Sequence, residues 1–581
     1  MTKKMTIHSA IPELRNYLFH GLISRREFLR YATLLGMSSI AASRMCGLFS
    51  PGNTEASSAR RGGQINVASI LTRIGHPARI SYISTSNVLR QVAEYLTYTD
   101  RNNITHPYLL NNWSASDDLR TWTLNLRRGI KFNNGDDFTA DDVIFTMNQW
   151  FKKDVDSSML GLMGSYLDRS DIEKVDDYQI KLHLKHPEIA VPEHLFHFPA
   201  VVLNSHTFEG DFLKRPIGTG PYNMEDYIEG EFCRLRRRSD YWGIGPDGYR
   251  LPYLDKVVFF DFGMEVAPRI AAIRTGDIHM LDSSEIDIKE VAKALRRDPR
   301  VNVIPISTNK TCVLRMRVDL EPWTDNRVRQ ALKLCQNREK ISKMVGYEDS
   351  YLGQDVHVSP MHPEYCNIGT PVYDPDKARD LLAKAGYHSG LTVNLAVGSG
   401  WSEFVRYAEI LKQDAASAGF KINIQKMPNN AYWERWKEVD LGLTVWKHYP
   451  LGTMVPNLAY TADDKGNPTA WNETRWVDRE FSSLLKQANS TLDVRARRKI
   501  FCKLERIQQE RGSIGNAFWM KNWSIASKKV CRSKPHPKGY LMFHSTSLAE
   551  NYPCSKWPPE KCECDETNEC DSNCECDNDC E

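Results

Sequence analysis

Apolar positions recur along this chain at two periods, and their succession outlines the fold. Ile65 and Val67 alternate with polar neighbours as a first strand. From Asn87 the spacing turns helical, with Val88, Val92, Tyr95 and Leu96 on one stripe. Residues 113–127 read as two strand pieces joined by a turn. Thr139 then caps a helix with Asp142 three positions later and Val143, Met147 and Trp150 on one face. Around residue 230, Cys233 and Leu235 alternate with Phe232, Arg234 and Arg236 in the second strand of a strand-turn-strand unit. The unit is entered through Gly218-Thr219-Gly220-Pro221, where the glycines are expected to supply unusual backbone angles and Pro221 to fix the exit.

Past residue 300 the pattern becomes regularly α/β. Asp325 caps a helix carrying Val328, Ala331, Leu332 and Cys335 at i, i+3, i+4 and i+7. Asp374 and Pro375 open another, which buries Ala378, Leu381, Leu382 and Ala385 and stops at Gly386. Strand 391–397, helix 404–418 and a second strand at Phe420, Ile422 and Ile424 form a βαβ unit, so the sheet here is expected to be partly parallel.

At 581 residues, 41% hydrophobic and 26% charged, the chain has material for more than one core. The net charge of +3 conceals an acidic end, with nine acidic residues against one lysine from Lys561 to Glu581. The remainder is mildly basic, without the Lys/Arg stripe and interleaved aromatics of a nucleic-acid binder. No G-x-S-x-G, H-E-x-x-H or G-x-x-x-x-G-K-[ST] is present, which argues against an enzyme and against a resident cofactor. A G-x-G-x-x-G at 243–248 contains Pro246 and precedes no helix start, so it reads as a loop.

The N-terminus reads as an export address. Ser24-Arg25-Arg26-Glu27-Phe28-Leu29-Arg30 matches the twin-arginine pattern, and a short weakly apolar segment follows it. Residues 1–59 are therefore expected to be signal peptide and linker, the alternative being an amphipathic first helix of the mature fold.

Several blocks now carry a family resemblance. Gly218-Thr219-Gly220-Pro221-Tyr222 with Tyr241-Trp242 twenty residues on, Phe138-Thr139-Ala140-Asp141-Asp142-Val143, Asp325-Asn326-Arg327-Val328-Arg329-Gln330-Ala331-Leu332, and Tyr373 to Tyr387 occur in order. Together they resemble the extracytoplasmic solute-binding proteins of ABC importers, in the class that includes oligopeptide, dipeptide and nickel binders. The resemblance implies a bilobed α/β fold of the periplasmic-binding-protein type II kind with an additional inserted α+β domain. Lobe I would comprise 60–84, 204–308 and 521–545, the insert 85–203 and lobe II 309–520. It further implies a monomer in the periplasm that captures a small solute, peptide or peptide-like, and hands it to an inner-membrane ABC permease after passage through the twin-arginine machinery. Non-peptide solutes such as an oligosaccharide, an amino acid conjugate or a chelated metal stand as the alternative.

The resemblance places the ligand against Trp446, His448 and Tyr449, with Trp401 as a further aromatic. Peptide binders of the family carry W-x-x-D-Y-x-D-P here, the Asp pairing with the peptide ammonium. His448 stands before Tyr449 instead, and no acidic residue occurs between Asp440 and Asp463. A buried ammonium without a carboxylate costs several kcal/mol, roughly. A ligand with a blocked amine, a sugar face or an acidic group is therefore expected, unless a carboxylate from elsewhere replaces the missing one.

The C-terminal stretch 546–581 stands apart. Cys554, Cys562, Cys564, Cys570, Cys574, Cys576 and Cys580 make up half of the fourteen cysteines, set among Asp, Glu and Asn. Such a composition builds no core and is expected to be disordered unless cross-linked or metallated, with disulfides and soft-metal binding both open. The metal reading would make the chain an exported metal-handling or redox protein.

Overall fold

The computed structural model describes residues 8–46, 60–284, 288–347, 350–462, 466–469 and 471–549. The cysteines of the acidic tail lie outside the described residues.

Three short helices come first: α1 (Ile11–Phe19), α2 (Arg25–Leu34) and α3 (Ser39–Met45). A reciprocal cap starts α2, the Glu27 N–H donating to Ser24 Oγ at 3.2 Å and the Ser24 N–H to Glu27 Oε2 at 2.8 Å. Phe28, Tyr31, Ala32 and Leu35 then fall at i, i+3, i+4 and i+7 and are all buried. Residues 8–46, expected to lie outside the fold, are thus packed on it. The Trp113 indole N–H donates to the Leu34 carbonyl at 2.9 Å, the Tyr31 hydroxyl to Glu364 at 3.3 Å, and Arg498 pairs with Glu27. An apolar helix face dictates this docking, because water is excluded from it only by contact with the body.

Strand β1 (Gln64–Ser69) follows, then α4 (Ile83–Leu89) and the short pair β2 (Thr97–Thr99) and β3 (Thr105–Pro107). The helix expected from Asn87 therefore begins four residues earlier and ends at Leu89. Tertiary contacts stop it: the Gly220 N–H donates to the Val92 carbonyl at 2.8 Å and the Tyr222 N–H to the Gln91 carbonyl at 3.1 Å. A Cβ on Gly218 would stand 2.1 Å from the Val92 oxygen, and one on Gly220 2.6 Å from the Gln91 oxygen. Neither glycine has positive φ. Close backbone approach, and no unusual dihedral, is what requires them.

The insert holds a separate antiparallel sheet of β4 (Leu110–Ala115), β5 (Thr121–Leu126), β6 (Ile172–Asp176) and β7 (Gln179–His183), in the order β4-β5-β7-β6. Helix α5 (Ala140–Trp150) packs nearby, with Asp142 Oδ2 accepting the Thr139 N–H at 2.9 Å as the spacing predicts.

A ten-stranded sheet joins the two lobes. Its members are β1, β8 (Tyr222–Ile228), β9 (Phe232–Arg237), β10 (Lys256–Asp261), β11 (Met280–Leu281), β12 (Val301–Met316), β13 (Leu391–Gly398), β14 (Phe420–Met427), β15 (Leu441–Trp446) and β16 (Ile514–Ser527). The order is β14-β13-β15-β12-β16-β11-β1-β10-β9-β8. The long strands β12 and β16 pair antiparallel and carry the chain from one lobe to the other. Their register slips between Ser307 and Lys310, which frees Thr308 and Asn309 from the ladder.

Lobe II is built as the periodicity predicts. Helix α6 (Asn326–Leu334) is capped by Asp325, and α7 (Pro375–Lys384) by Asp374, whose carboxylate accepts the Lys377 N–H at 2.9 Å. Gly386, at φ +96°, ends the second with the Tyr387 N–H on the Leu382 carbonyl. β13, α8 (Ser402–Ala416) and β14 form a parallel βαβ unit. The long helix α9 (Val494–Arg511) is tied to the loop before α7 by a Cys366–Cys502 disulfide, and Cys531 is disulfide-bonded as well.

Candidate functional site

The loop after β15 meets lobe I and the insert where the β12–β16 ladder is interrupted. Asn309, released by the bulge, reads this loop with three groups. Its backbone N–H donates to His448 Nδ1 at 3.1 Å, its Oδ1 accepts the Tyr449 N–H at 2.7 Å, and its Nδ2 donates to the Tyr449 carbonyl. His362, whose Nδ1 accepts the Ser359 N–H, donates from Nε2 to the same carbonyl at 3.0 Å. With Nδ1 of His448 occupied as an acceptor, Nε2 holds the proton and donates to Asn103 Oδ1 of the insert at 3.0 Å. Burial first, then the positive groups around it, drive the His448 pKa well below the ordinary histidine value. It is a neutral joint between lobe II and the insert, with both ring nitrogens already engaged inside the protein.

Trp446 closes β15. Its indole N–H donates to Glu473 Oε1 at 2.8 Å, and the other Glu473 oxygen faces Arg315 Nε at 3.4 Å. Burial pushes the Glu473 carboxyl upward, against the pull of Arg315. Trp401 does not touch Trp446, but Trp433, Trp436 and Trp471 connect them. Successive ring centroids along Trp401, Trp433, Trp436, Trp471 and Trp446 lie 5.6, 5.8, 6.1 and 6.0 Å apart. This tryptophan band is half-buried except at Trp446. Its edge-to-face rings offer apolar walls of fixed shape.

Tyr449 lies against a buried lysine. The Lys538 Nζ lies 4.2 Å from its ring centroid, 5.6 Å from that of Tyr540 and 5.8 Å from that of Phe198. Burial pushes the Lys538 pKa down to about 7, with Glu193 opposing and Arg90 and Lys447 reinforcing the shift. The Glu193 carboxylate accepts the Thr99 hydroxyl at 2.8 Å and the Thr105 hydroxyl, and burial raises it to about 7. Arg90 at the end of α4 stacks on Tyr540, its Cζ 3.8 Å from the ring centroid.

Sequence reasoning named Trp446, His448, Tyr449 and Trp401 as ligand-contacting residues; the structure brings the first three to one meeting point and sets Trp401 at the far end of the band. That reasoning missed Asn309, Glu473, Arg90 and Lys538. Asn309 is signalled only by a break in a strand pattern, and the others by nothing local. Among the described residues no cluster of His, Cys, Asp and Glu is arranged to hold a metal ion. An open groove of about 930 Å³, lined by Arg73, His76, Arg79, Phe145 and Phe208 among others, shares no residue with this junction.

Arg25 and Arg26 occupy the first turn of α2 and are exposed, whereas Phe28 and Leu29 of the same motif are buried.

Comparison with known proteins agrees with this architecture. Di/tripeptide-binding protein 1 of Pseudomonas aeruginosa is 26% identical over 76% of this chain and 86% of its own length. The periplasmic binding protein DppA of Helicobacter pylori in complex with the peptide STSA superposes with a TM-score of 0.73 at 22% identity, covering 84% of this chain and 98% of that one. The PBP AgaA of A. tumefaciens R10 in complex with agropinic acid gives 0.74 at 19% identity, over 84% and 99%. The fold is that of the bilobed periplasmic binding proteins. Residues 105–469 match the description Bacterial extracellular solute-binding proteins, family 5 Middle, and with more than half of the chain matched, this protein belongs to that family of solute-binding proteins.

Proposed function

We propose that this protein is the solute-capturing component of an ABC import system, and that it closes its lobes over a peptide or peptide-like molecule and delivers it to a membrane permease. The carrying observation is the junction itself. The long strands β12 and β16 carry the chain between the lobes, a bulge at Ser307–Lys310 sits at the crossing, and aromatic and polar groups from lobe I, lobe II and the insert converge beside it. Relatives that bind di- and tripeptides favour the peptide reading.

The protein functions outside the cytoplasm in this reading. The Cys366–Cys502 disulfide suits an oxidising compartment, and the exposed Arg25-Arg26 pair at the start of α2 is the export address. Lysine at both positions should strand the precursor in the cytoplasm, because ammonium groups lack the planar fork of guanidinium. Unchanged periplasmic yield would remove the export reading.

The solute reading is tested by thermal shift of the purified protein against di- and tripeptides, oligosaccharides and metal chelates. A ligand at 100 times its Kd stabilises the native state by about 2.7 kcal/mol. A rise in Tm with peptides and none with the other two classes is expected. A response to sugars or chelates alone would transfer the function to that class.

A further inference from the structure

The last described stretch of the chain ends beside a basic groove of lobe I. Strand β17 (Val530–Cys531) pairs antiparallel with β18 (Ser547–Leu548), and the Ala549 N–H donates to the Lys529 carbonyl at 2.8 Å. Val530 also lines a groove of about 440 Å³, which lies where Val301 to Ile304 of β12 pair with Ser524 to Ser527 of β16. Arg296, Arg297 and Lys528 supply its cations. Both arginines are exposed, and neither they nor Lys528 make an ion pair among the described residues. The neighbouring run 521–534 adds Lys521, Lys529, Arg532 and Lys534 and contains no acid. Asp298, the carboxylate in the groove lining, is already engaged by Arg300 at 2.8 Å and Arg274 at 3.6 Å.

Two observations identify an occupant. The first is charge and reach. Residues 550–581, the 32 that continue from Ala549, hold eleven acidic residues against two lysines, net −9. Extended, such a segment spans about 100 Å, and it starts next to a groove whose wall residue Val530 pairs with Leu548. The second is covalent. Cys531 is disulfide-bonded. Among the described residues Cys46, Cys233, Cys312 and Cys335 are free thiols and Cys366 is joined to Cys502, so a partner within the chain has to come from the seven cysteines of 554–580. An odd number cannot all pair with one another, and Cys531 takes up the one left over. Cys554 is the nearest of them along the chain.

We infer that the acidic C-terminal segment is a built-in partner of this basic face, tied to lobe I by a disulfide between Cys531 and a tail cysteine and seated through its carboxylates on Arg296, Arg297 and Lys528. Forming the bond takes two electrons and two protons from two thiols and delivers them to an external disulfide, which leaves as a dithiol. Exposed ion pairs are individually weak, and the tether strengthens their sum by holding the carboxylates at high local concentration.

The test uses the full chain, purified without reductant. Free thiols are alkylated, the protein is digested with trypsin, and the fragments are weighed before and after reduction. Cuts after Lys538, Lys556 and Lys561 separate Cys554 from the six cysteines of 562–580. The Val530-Cys531-Arg532 fragment should be found joined to one of these pieces in a protein that stays monomeric on a non-reducing gel. Alkylated Cys531, or a dimer linked through Cys531, overturns the tether. Seating is read from the rate at which Glu-C protease cuts the tail, normalised to a small reference substrate. At about 20 mM NaCl the wild-type tail should be cut at least fivefold more slowly than that of the triple variant Arg296→Glu, Arg297→Glu, Lys528→Glu. At about 500 mM the wild-type rate, on unaltered protein, should rise to meet the variant's, because salt screens exposed charges. Equal rates at low salt, or a gap that survives high salt, overturns the seating.

Discussion

Three buried arginines of lobe II are held by carboxylates, whereas two buried cations beside Tyr540 are held by aromatic faces. In lobe II, Arg338 makes a two-pronged contact with Asp355 at 2.7 and 2.9 Å, Arg497 meets Glu364 at 3.3 Å, and Arg315 meets Glu473 at 3.4 Å. Each carboxylate has further work: Asp355 accepts the Asn516 N–H at 2.8 Å, Glu364 the Gly452 N–H at 3.0 Å, and Glu473 the Trp446 indole. On the lobe I side, Arg90 and Lys538 have aromatic faces instead. Elsewhere in lobe I, Arg269 donates to the Ser69 and Gly263 carbonyls with Asp261 and Asp282 close by, while its buried Nε and Nη1 have no partner among the described residues. Lobe II in turn holds Arg329 and Lys333 on backbone carbonyls without an ion pair among the described residues, so the contrast lies between carboxylate-paired cations and those left to carbonyls and aromatic faces.

Breaking a lobe II pair should give the largest effect. Arg338→Met strands the Asp355 carboxylate in the interior, at a cost of about 3–5 kcal/mol. Urea denaturation should show a lower midpoint at unchanged slope. A loss under 1 kcal/mol would erase the contrast between the two regions.

A second variant sharpens it from the N-terminal side. Arg30 of α2 is also buried at the junction, but it donates to the Asn102 carbonyl at 3.0 Å and the Met361 carbonyl at 3.3 Å. Arg30→Met leaves those carbonyls bare and should destabilise the full chain by about 1–3 kcal/mol. An unchanged urea midpoint would show that those carbonyls are satisfied without Arg30.

Much of this architecture was legible locally. Thr139, Asp325 and Asp374 cap helices where the spacing put them, and the βαβ unit of β13, α8 and β14 appears with the parallel pairing its length requires. Local signals failed where distant chain decides. The apolar stripe of Val88 and Val92 suggested a longer helix, but the glycine turn 126 or more residues away claims its carbonyls. His448 looked like a ligand group because its sequence neighbours match a binding motif. Its partners, 139 and 345 positions away, have no signature. Arg90 and Lys538 lie far apart in sequence, and neither absence of a counter-ion is written in the residues around it.

The pH dependence is the smallest effect. Lys538 at about 7 sits below its ordinary value, so above pH 7 the unfolded chain holds a proton the ligand-free native state has lost. Stability from this group therefore rises from about pH 7 toward the ordinary lysine value, and Lys538→Met should remove that rise. A stability profile of Lys538→Met that still rises over that range would assign the rise to other groups.

The most direct measurement is a crystal structure of the protein with its bound solute. The account predicts a peptide or peptide-like solute enclosed between the lobes beside the β12–β16 bulge, with His448 still held by Asn309 and Asn103. A solute bound away from this junction, or His448 released from those partners onto the solute, would contradict it.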